Sequence, residues 1–347
     1  MAINLMNLKV NVPKVRLEDY VFTIYGRPKA GKSTLFSKLV NEFYGDASAG
    51  LLIGFERGFN ALKVMAQPCD DFSEFIEIVD QLEEGQGKLP FKFIAIDTID
   101  VMYKQAVSYV LKRESRKDGK KYQAVNDIPW GKGHEYIEIE ISNQLERIKR
   151  LGLGLFMITH DKDKKFESRE GVSYDKTTCS LPDRIRNTIL NMSDFINFID
   201  IAKEKDELLG KLVDKRYIYF RADGSDLEAG SRFENVPNRI EYDVKEFIKT
   251  FEEAVKSSLD EGQDVNKLKK EQELESKKAV EEYVKNNGVA GEYTLEEKQA
   301  KLDKIKANIS KLDMAKLQKI MADHSITSFN DAEAVPSKAL DEILALI

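Results

Sequence analysis

The segment Gly26-Arg27-Pro28-Lys29-Ala30-Gly31-Lys32-Ser33 satisfies every fixed position of the pattern Gly-x-x-x-x-Gly-Lys-Ser/Thr. That spacing suits one task, the holding of a phosphate chain. Gly26 and Gly31 free the backbone to curl, so successive N–H groups can point inward at phosphate oxygens. A helix starting near Lys32 adds its positive N-terminal end. Lys32 is expected to place its charge on the β- and γ-phosphates of a nucleotide and Ser33 to offer a hydroxyl to Mg²⁺. Thr34 carries the loop on into the helix, so the expected cradle for ATP runs from Gly26 to Thr34.

Hydrolysis needs more than a cradle. Asp97 ends an apolar run, Phe93-Ile94-Ala95-Ile96, where a carboxylate can reach Mg²⁺ through water. Asp100 follows at helical spacing and serves equally well as a helix cap. Glu56 follows the apolar run Leu51–Phe55 and is the candidate base for an attacking water. His160 ends another run and is the candidate reporter of the γ-phosphate. Three separate strand ends thus deliver Glu56, Asp97 and His160 beside Lys32.

These residues require a particular scaffold. Val21–Tyr25, Leu51–Phe55, Phe91–Ile96 and Leu153–Thr159 read as short buried strands, with Phe195–Ala202 and Tyr217–Ala222 beyond them. Thr34–Phe43, Phe72–Leu82, Thr98–Leu111 and Tyr136–Leu151 have helical spacing. Apolar strands alternating with helices predict an α/β fold, a mainly parallel sheet covered on both faces. Residues 112–133 and 161–183 are polar and read as long loops.

Near residue 255 the composition changes. Lys256–Lys278 is dense in charge and reads as a solvated helix or linker. The spacing of Leu302, Ile305, Ile309 and Leu312, then Leu317, Ile320 and Met321, predicts a small helical module. The expected organisation is a nucleotide-binding domain over 1–255, a charged linker over 256–290 and a helical C-terminal module over 291–347. The net charge of −6 gives no global field for nucleic acid, so any such contact must be local. Two distant cysteines, Cys69 and Cys179, suggest neither a disulfide framework nor a zinc site and fit a reducing cytoplasm. No apolar run approaches the length of a membrane span.

Together these motifs resemble those of bacteriophage RecA-like P-loop ATPases, including the short RecA-like single-strand annealing proteins of recombination. Tyr25 to Thr34 resembles their phosphate loop, Phe55-Glu56-Arg57-Gly58 the site of their catalytic glutamate, Ile96-Asp97-Thr98 their Walker B strand and Ile158-Thr159-His160 their sensor strand. His160 stands where Gln is usual. Gly230-Ser231-Arg232-Phe233, with Pro237 and Ile240, is also similar. The resemblance covers residues 15–255. It implies a DNA-stimulated ATPase acting on single-stranded DNA in the host cytoplasm, as a homo-oligomer beside a phage single-strand-binding or replication protein.

In that family the loops after the Walker B helix and the sensor strand face DNA. In the first, Lys112, Arg113, Arg116, Lys117, Lys120 and Lys121 supply charge, Tyr122 and Trp130 can stack on bases, and Lys132 sits between two glycines. Between 161 and 186 seven basic residues are nearly cancelled by six acidic ones. Arg232 is a candidate finger for a neighbour's γ-phosphate or one half of a structural ion pair. Two other readings stay open: an ATP-switched assembly or loader protein, and a small-molecule kinase. A GTPase is disfavoured because no Asn-Lys-x-Asp occurs.

Overall fold

Among the described residues, nine strands form the sheet that carries the site. In the computed structural model, residues 12–259 are described except 168–170, 206–209, 223 and 225, as are 267–275, 278 and, with gaps, 295–346. The chain divides into two compact units, residues 1–277 and 278–347.

In the first unit β1 (Val21–Gly26) leads into α1 (Lys32–Tyr44), β2 (Gly50–Gly54), β3 (Met65–Pro68) and α2 (Phe72–Glu84). Then come β4 (Phe93–Asp97), α3 (Ile99–Asp118), α4 (Gly133–Arg150), β5 (Gly154–Thr159), β6 (Asp161–Glu167), β7 (Ser173–Cys179) and α5 (Asp183–Met192). The unit continues with β8 (Phe195–Lys205), β9 (Leu212–Tyr219), β10 (Gly230–Ser231), β11 (Arg239–Glu241) and α6 (Val244–Ser257).

The main sheet has the order β11-β9-β8-β1-β5-β4-β2-β3, with β10 beside β8. From β8 to β3 the strands are parallel, and β9, β10 and β11 pair antiparallel. The parallel strands are buried on both faces, which is why they read as unbroken apolar runs. Alternation sends Phe93 and Ala95 to one face with α1 and α6, and Ile94 and Ile96 to the other with α2, α3 and α4. Phe22 lies stacked on Phe195 with ring centroids 4.9 Å apart, so the first core is largely aromatic.

Two predicted loops are regular structure. The first seven residues of the expected loop at 112–133 are helical, because α3 runs to Asp118, where Gly119 takes a left-handed conformation at φ 63° and ends the helix. Its buried stripe is Met102, Ala106, Val110 and then Glu114. The fourth position is charged, which hides the last turns from an apolar pattern. The polar stretch 161–183 contains the β6–β7 hairpin, a separate two-stranded sheet, and the start of α5.

The charged stretch expected to be solvated also packs in part. Residues 267–275 are helical, and Gln272 is buried, accepting from Val15 N–H at 2.9 Å and donating to Pro13 O at 3.0 Å. The rest of the predicted linker lies mostly outside the described residues. In the second unit Leu295–Asn308, Met314–Asp323 and Ser337–Leu344 are helices. They share a core of Leu302, Ile305, Leu317, Val335, Leu340 and Ile343.

Candidate nucleotide-binding site

The phosphate loop leaves the sheet at Gly26 and re-enters regular structure at Lys32. Its turn needs three residues with positive φ: Gly26 at 151°, Lys29 at 65° and Gly31 at 107°. A Cβ at Gly26 would meet the Ile199 carbonyl oxygen at 2.5 Å, so the strand crossing itself demands glycine. Lys32 is buried, and its Nζ donates to Gly26 O at 2.7 Å and Arg27 O at 2.9 Å, curled back over the loop. Burial lowers its pKa, while the charges of Asp97, Asp161, Asp100 and Glu56 work the other way. The loop thus holds a desolvated ammonium beside N–H groups, which suits an anion with several negative oxygens.

Ser33 Oγ donates to Asp97 Oδ2 at 2.5 Å. Hydroxyl and carboxylate oxygens meet at the mouth of the loop, a hard donor pair of the type Mg²⁺ takes together with phosphates and water. Among the described residues no cluster of three His, Cys, Asp or Glu side chains could hold a metal. The Ser33 and Asp97 oxygens fit a Mg²⁺ brought in with a nucleotide, which Ser33 would hold directly and Asp97 through water.

Asp97 is buried, and burial raises its pKa; the Ser33 hydrogen bond opposes this, Glu56 adds to it, and Lys32 and His160 oppose it. Its folded pKa thus lies above the unfolded one. The ionised group then costs stability at neutral pH, and the cost vanishes as pH falls below the unfolded value. Asp97→Asn should accordingly melt no lower than the wild type at neutral pH without nucleotide. The same variant should lose the extra melting shift that Mg²⁺ adds to nucleotide. A lower melting point without ligand would contradict this account.

Glu56 and His160 come from different strands to one place. Phe55 N–H and Glu56 N–H both donate to Asp97 O, at 2.7 and 3.0 Å, which ties the end of β2 to the end of β4. Glu56 Oε1 accepts from Thr98 Oγ1 at 3.0 Å and lies 3.4 Å from His160 Nε2. His160 Nδ1 is buried without a hydrogen-bond partner. Asp100 is not the cap of its helix, a position that Thr98 takes. It accepts from His160 N–H at 3.0 Å and from the Ser180 hydroxyl, fastening the ends of β5 and β7 to α3. Lys32, Ser33, Asp97, Glu56 and His160 are thus brought together as the strand order required.

Two neighbours of the loop carried no signal in the sequence. Tyr242 Oη donates to Gly31 O at 2.7 Å, and burial pushes its pKa up to about 12. The Arg216 guanidinium lies over the Tyr242 ring, 5.3 Å from its centroid. A Cβ at Gly31 would lie 2.9 Å from Tyr242 Oη, so the second glycine is needed as much for this contact as for its φ.

The candidate DNA residues divide. Lys112, Arg116, Lys120, Lys121 and Lys132 are exposed, and Trp130 is 92% exposed. Arg113 does not belong with them: it pairs with Glu114 at 2.8 Å and Glu140 at 2.5 Å. Lys117 lies 3.6 Å from the buried Glu114. In the hairpin alternation sorts most of the opposite charges. Lys162, Lys164, Phe166, Tyr174 and Lys176 share one face; Asp161, Asp163, Glu167 and Asp175 take the other, together with Lys165. The basic face is partly used internally, since Lys162 donates to Leu181 O, Lys164 to Asp183, and Arg186 lies over Phe166. Arg232 pairs with Asp194 at 3.2 Å, and Asp194 accepts from Val21 N–H, at the end of β1 away from the phosphate loop.

Among the described residues no helix is long and apolar enough to cross a membrane. Comparison with curated proteins gave no match. A family model described as an AAA domain matches residues 18–233, which is more than half of the chain and takes in the phosphate loop, Glu56, Asp97 and His160. The chain belongs to this AAA-domain family and carries a nucleotide-binding domain of the P-loop NTPase type.

Proposed function

We propose that the chain is a RecA-like ATPase that binds single-stranded DNA and promotes annealing or strand pairing in phage recombination or replication. Glu56 is the base that orients and deprotonates the attacking water, and Lys32 carries charge that builds on the transferred phosphoryl group. Mg²⁺ at Ser33 and Asp97, when bound, offsets charge on the β- and γ-phosphate oxygens. His160, beside Glu56, senses the terminal phosphate and passes its presence to the hairpin that begins at Asp161. The placement of the acid supports the RecA-like reading: Thr98, not a glutamate, follows Asp97, and Glu56 comes from the neighbouring strand.

Trp130 carries the DNA assignment. An indole left 92% exposed at φ 63° contributes nothing to the core, and it costs the fold both hydration and backbone strain. It sits two residues before Lys132 and close in sequence to Lys120 and Lys121, all exposed. A stacking plane beside lysines is what single-stranded DNA requires of a protein. The full assembly in this reading is a homo-oligomer in the host cytoplasm, working beside a phage single-strand-binding or replication protein.

The test is ATP turnover with and without single-stranded DNA, in the wild type and in Trp130→Ala. Stimulation by DNA is expected in the wild type. The variant should need roughly tenfold more DNA for half-maximal stimulation, the usual worth of one stacked base. Its turnover without DNA should be unchanged. Wild-type turnover indifferent to DNA, with no DNA retained at low salt, would remove DNA as the partner and favour an ATP-switched loader of protein.

A further inference from the structure

The groups that would meet a terminal phosphate all lie to one side of β1. Asp97, Glu56 and His160 stand at the ends of β4, β2 and β5, on the β5–β4–β2 side. A nucleotide whose terminal phosphate sits there must extend its ribose and base toward the other side, over β8, β9 and β11.

The register on that side is informative. Gly26 in β1 pairs with Ile199 in β8, and Ile201 in β8 pairs with Arg216 in β9. Arg216 therefore stands two residues beyond the level at which the phosphate loop leaves the sheet. Ile218 and Phe220, on the same face by alternation, are buried in the core that α1 and α6 cover. Arg216 thus emerges beside the N-terminal end of α1, and its Nη1 would be 3.2 Å from a Cβ at Gly31.

The guanidinium is braced but not neutralised. It lies over Tyr242, whose hydroxyl is fixed to Gly31 O and whose N–H donates to Arg216 O at 2.8 Å. Its neighbours differ: Lys215 reaches Glu204 and Glu241, and Arg239 reaches Glu204. Among the described residues Arg216 forms no such ion pair. A planar cation held flat on an aromatic ring at the rim of a phosphate loop is preorganised for a phosphate oxygen.

We propose that Arg216, braced by Tyr242, is a second cationic contact of this site and engages the ribose-proximal phosphate of a nucleoside di- or triphosphate. This rests on the reading of the site as an ATPase site. Such a contact is common to ATP and ADP, whereas a contact to the terminal phosphate is made by ATP alone. The guanidinium would share the charge that Lys32 meets from the other end and would fix the direction in which the nucleotide lies.

The experiment is calorimetric titration of MgATP and MgADP into the full chain, wild type and Arg216→Ala, with the melting temperature of each measured without nucleotide. The expected result is that Kd for both nucleotides rises by the same factor, about tenfold, as for one charge-assisted contact. The melting temperature should not move, since Arg216 is exposed. Arg216→Lys should recover only part of the affinity, because an ammonium lacks the planar fork. Unchanged Kd for both nucleotides would overturn the proposal, as would a loss confined to ATP. A wild type that binds neither would overturn the ATPase reading itself and the proposal with it.

Discussion

Lys32→Ala should lose nucleotide binding by a factor of about a hundred or more while remaining folded. The ammonium is buried and curled onto Gly26 O and Arg27 O, already desolvated before any ligand arrives. A phosphate that enters therefore meets a charge whose hydration has been removed. Truncating one partner of such a pair costs on the order of 2–5 kcal/mol. Stability without nucleotide should behave differently. Burial holds the folded pKa of Lys32 below its unfolded value. Its protonated form then costs stability at neutral pH, and the cost is lost only as pH rises past the unfolded pKa. Removing the amine relieves that cost but also unpairs Gly26 O and Arg27 O, so the two effects oppose each other and the melting temperature without ligand should change little. Titration with MgATP alongside thermal melting checks both parts. Near-normal affinity in a folded variant would show that the loop does not hold phosphate in the way its geometry implies.

That prediction rests on features legible in a single run of residues. Gly26 to Ser33 are contiguous, and the strand before and the helix after are set by local apolar spacing. Asp97 and Glu56 were legible for a related reason: each ends a strand buried on both faces, and parallel strands bring their carboxyl ends to one edge. What escaped was set by contacts between distant segments or by charge in an apolar position. Tyr242 lies 211 residues from the Gly31 carbonyl it donates to, and only the antiparallel step from β8 to β9 brings Arg216 there. Glu114 occupies the buried stripe of α3, so an apolar pattern stops a turn early. In the hairpin the net charge is near zero, yet Lys162, Lys164 and Lys176 share a face that Asp161 and Asp163 do not. Counting charges along the segment hides this, and reading alternate residues would have found it. Arg113 looked available because its partner Glu140 comes from the next helix.

Glu56→Gln should keep nucleotide affinity and lose turnover by roughly a hundredfold to ten-thousandfold, the contribution of a placed general base. The position of Glu56 does not depend on its charge. Its N–H is fixed to Asp97 O, and the Oε1 that accepts from Thr98 is retained by the amide. An amide can still orient a water but cannot take its proton, so the substitution separates the two functions. Nothing in the cradle changes, because Lys32, Ser33 and Asp97 make their contacts without Glu56. The variant should therefore accumulate bound ATP, visible as a nucleotide-dependent rise in melting temperature with little phosphate release. His160 sharpens the expectation. Its Nε2 lies 3.4 Å from Glu56 Oε1, so a histidine that shares the work of the base should slow the reaction further when replaced in the wild type and add little once Glu56 is Gln. Full additivity of Glu56→Gln and His160→Ala would show that the two act independently. Undiminished turnover in Glu56→Gln alone would take the base away from the end of β2 and leave Asp97, the carboxylate that Ser33 meets at the mouth of the loop, as the group to test next.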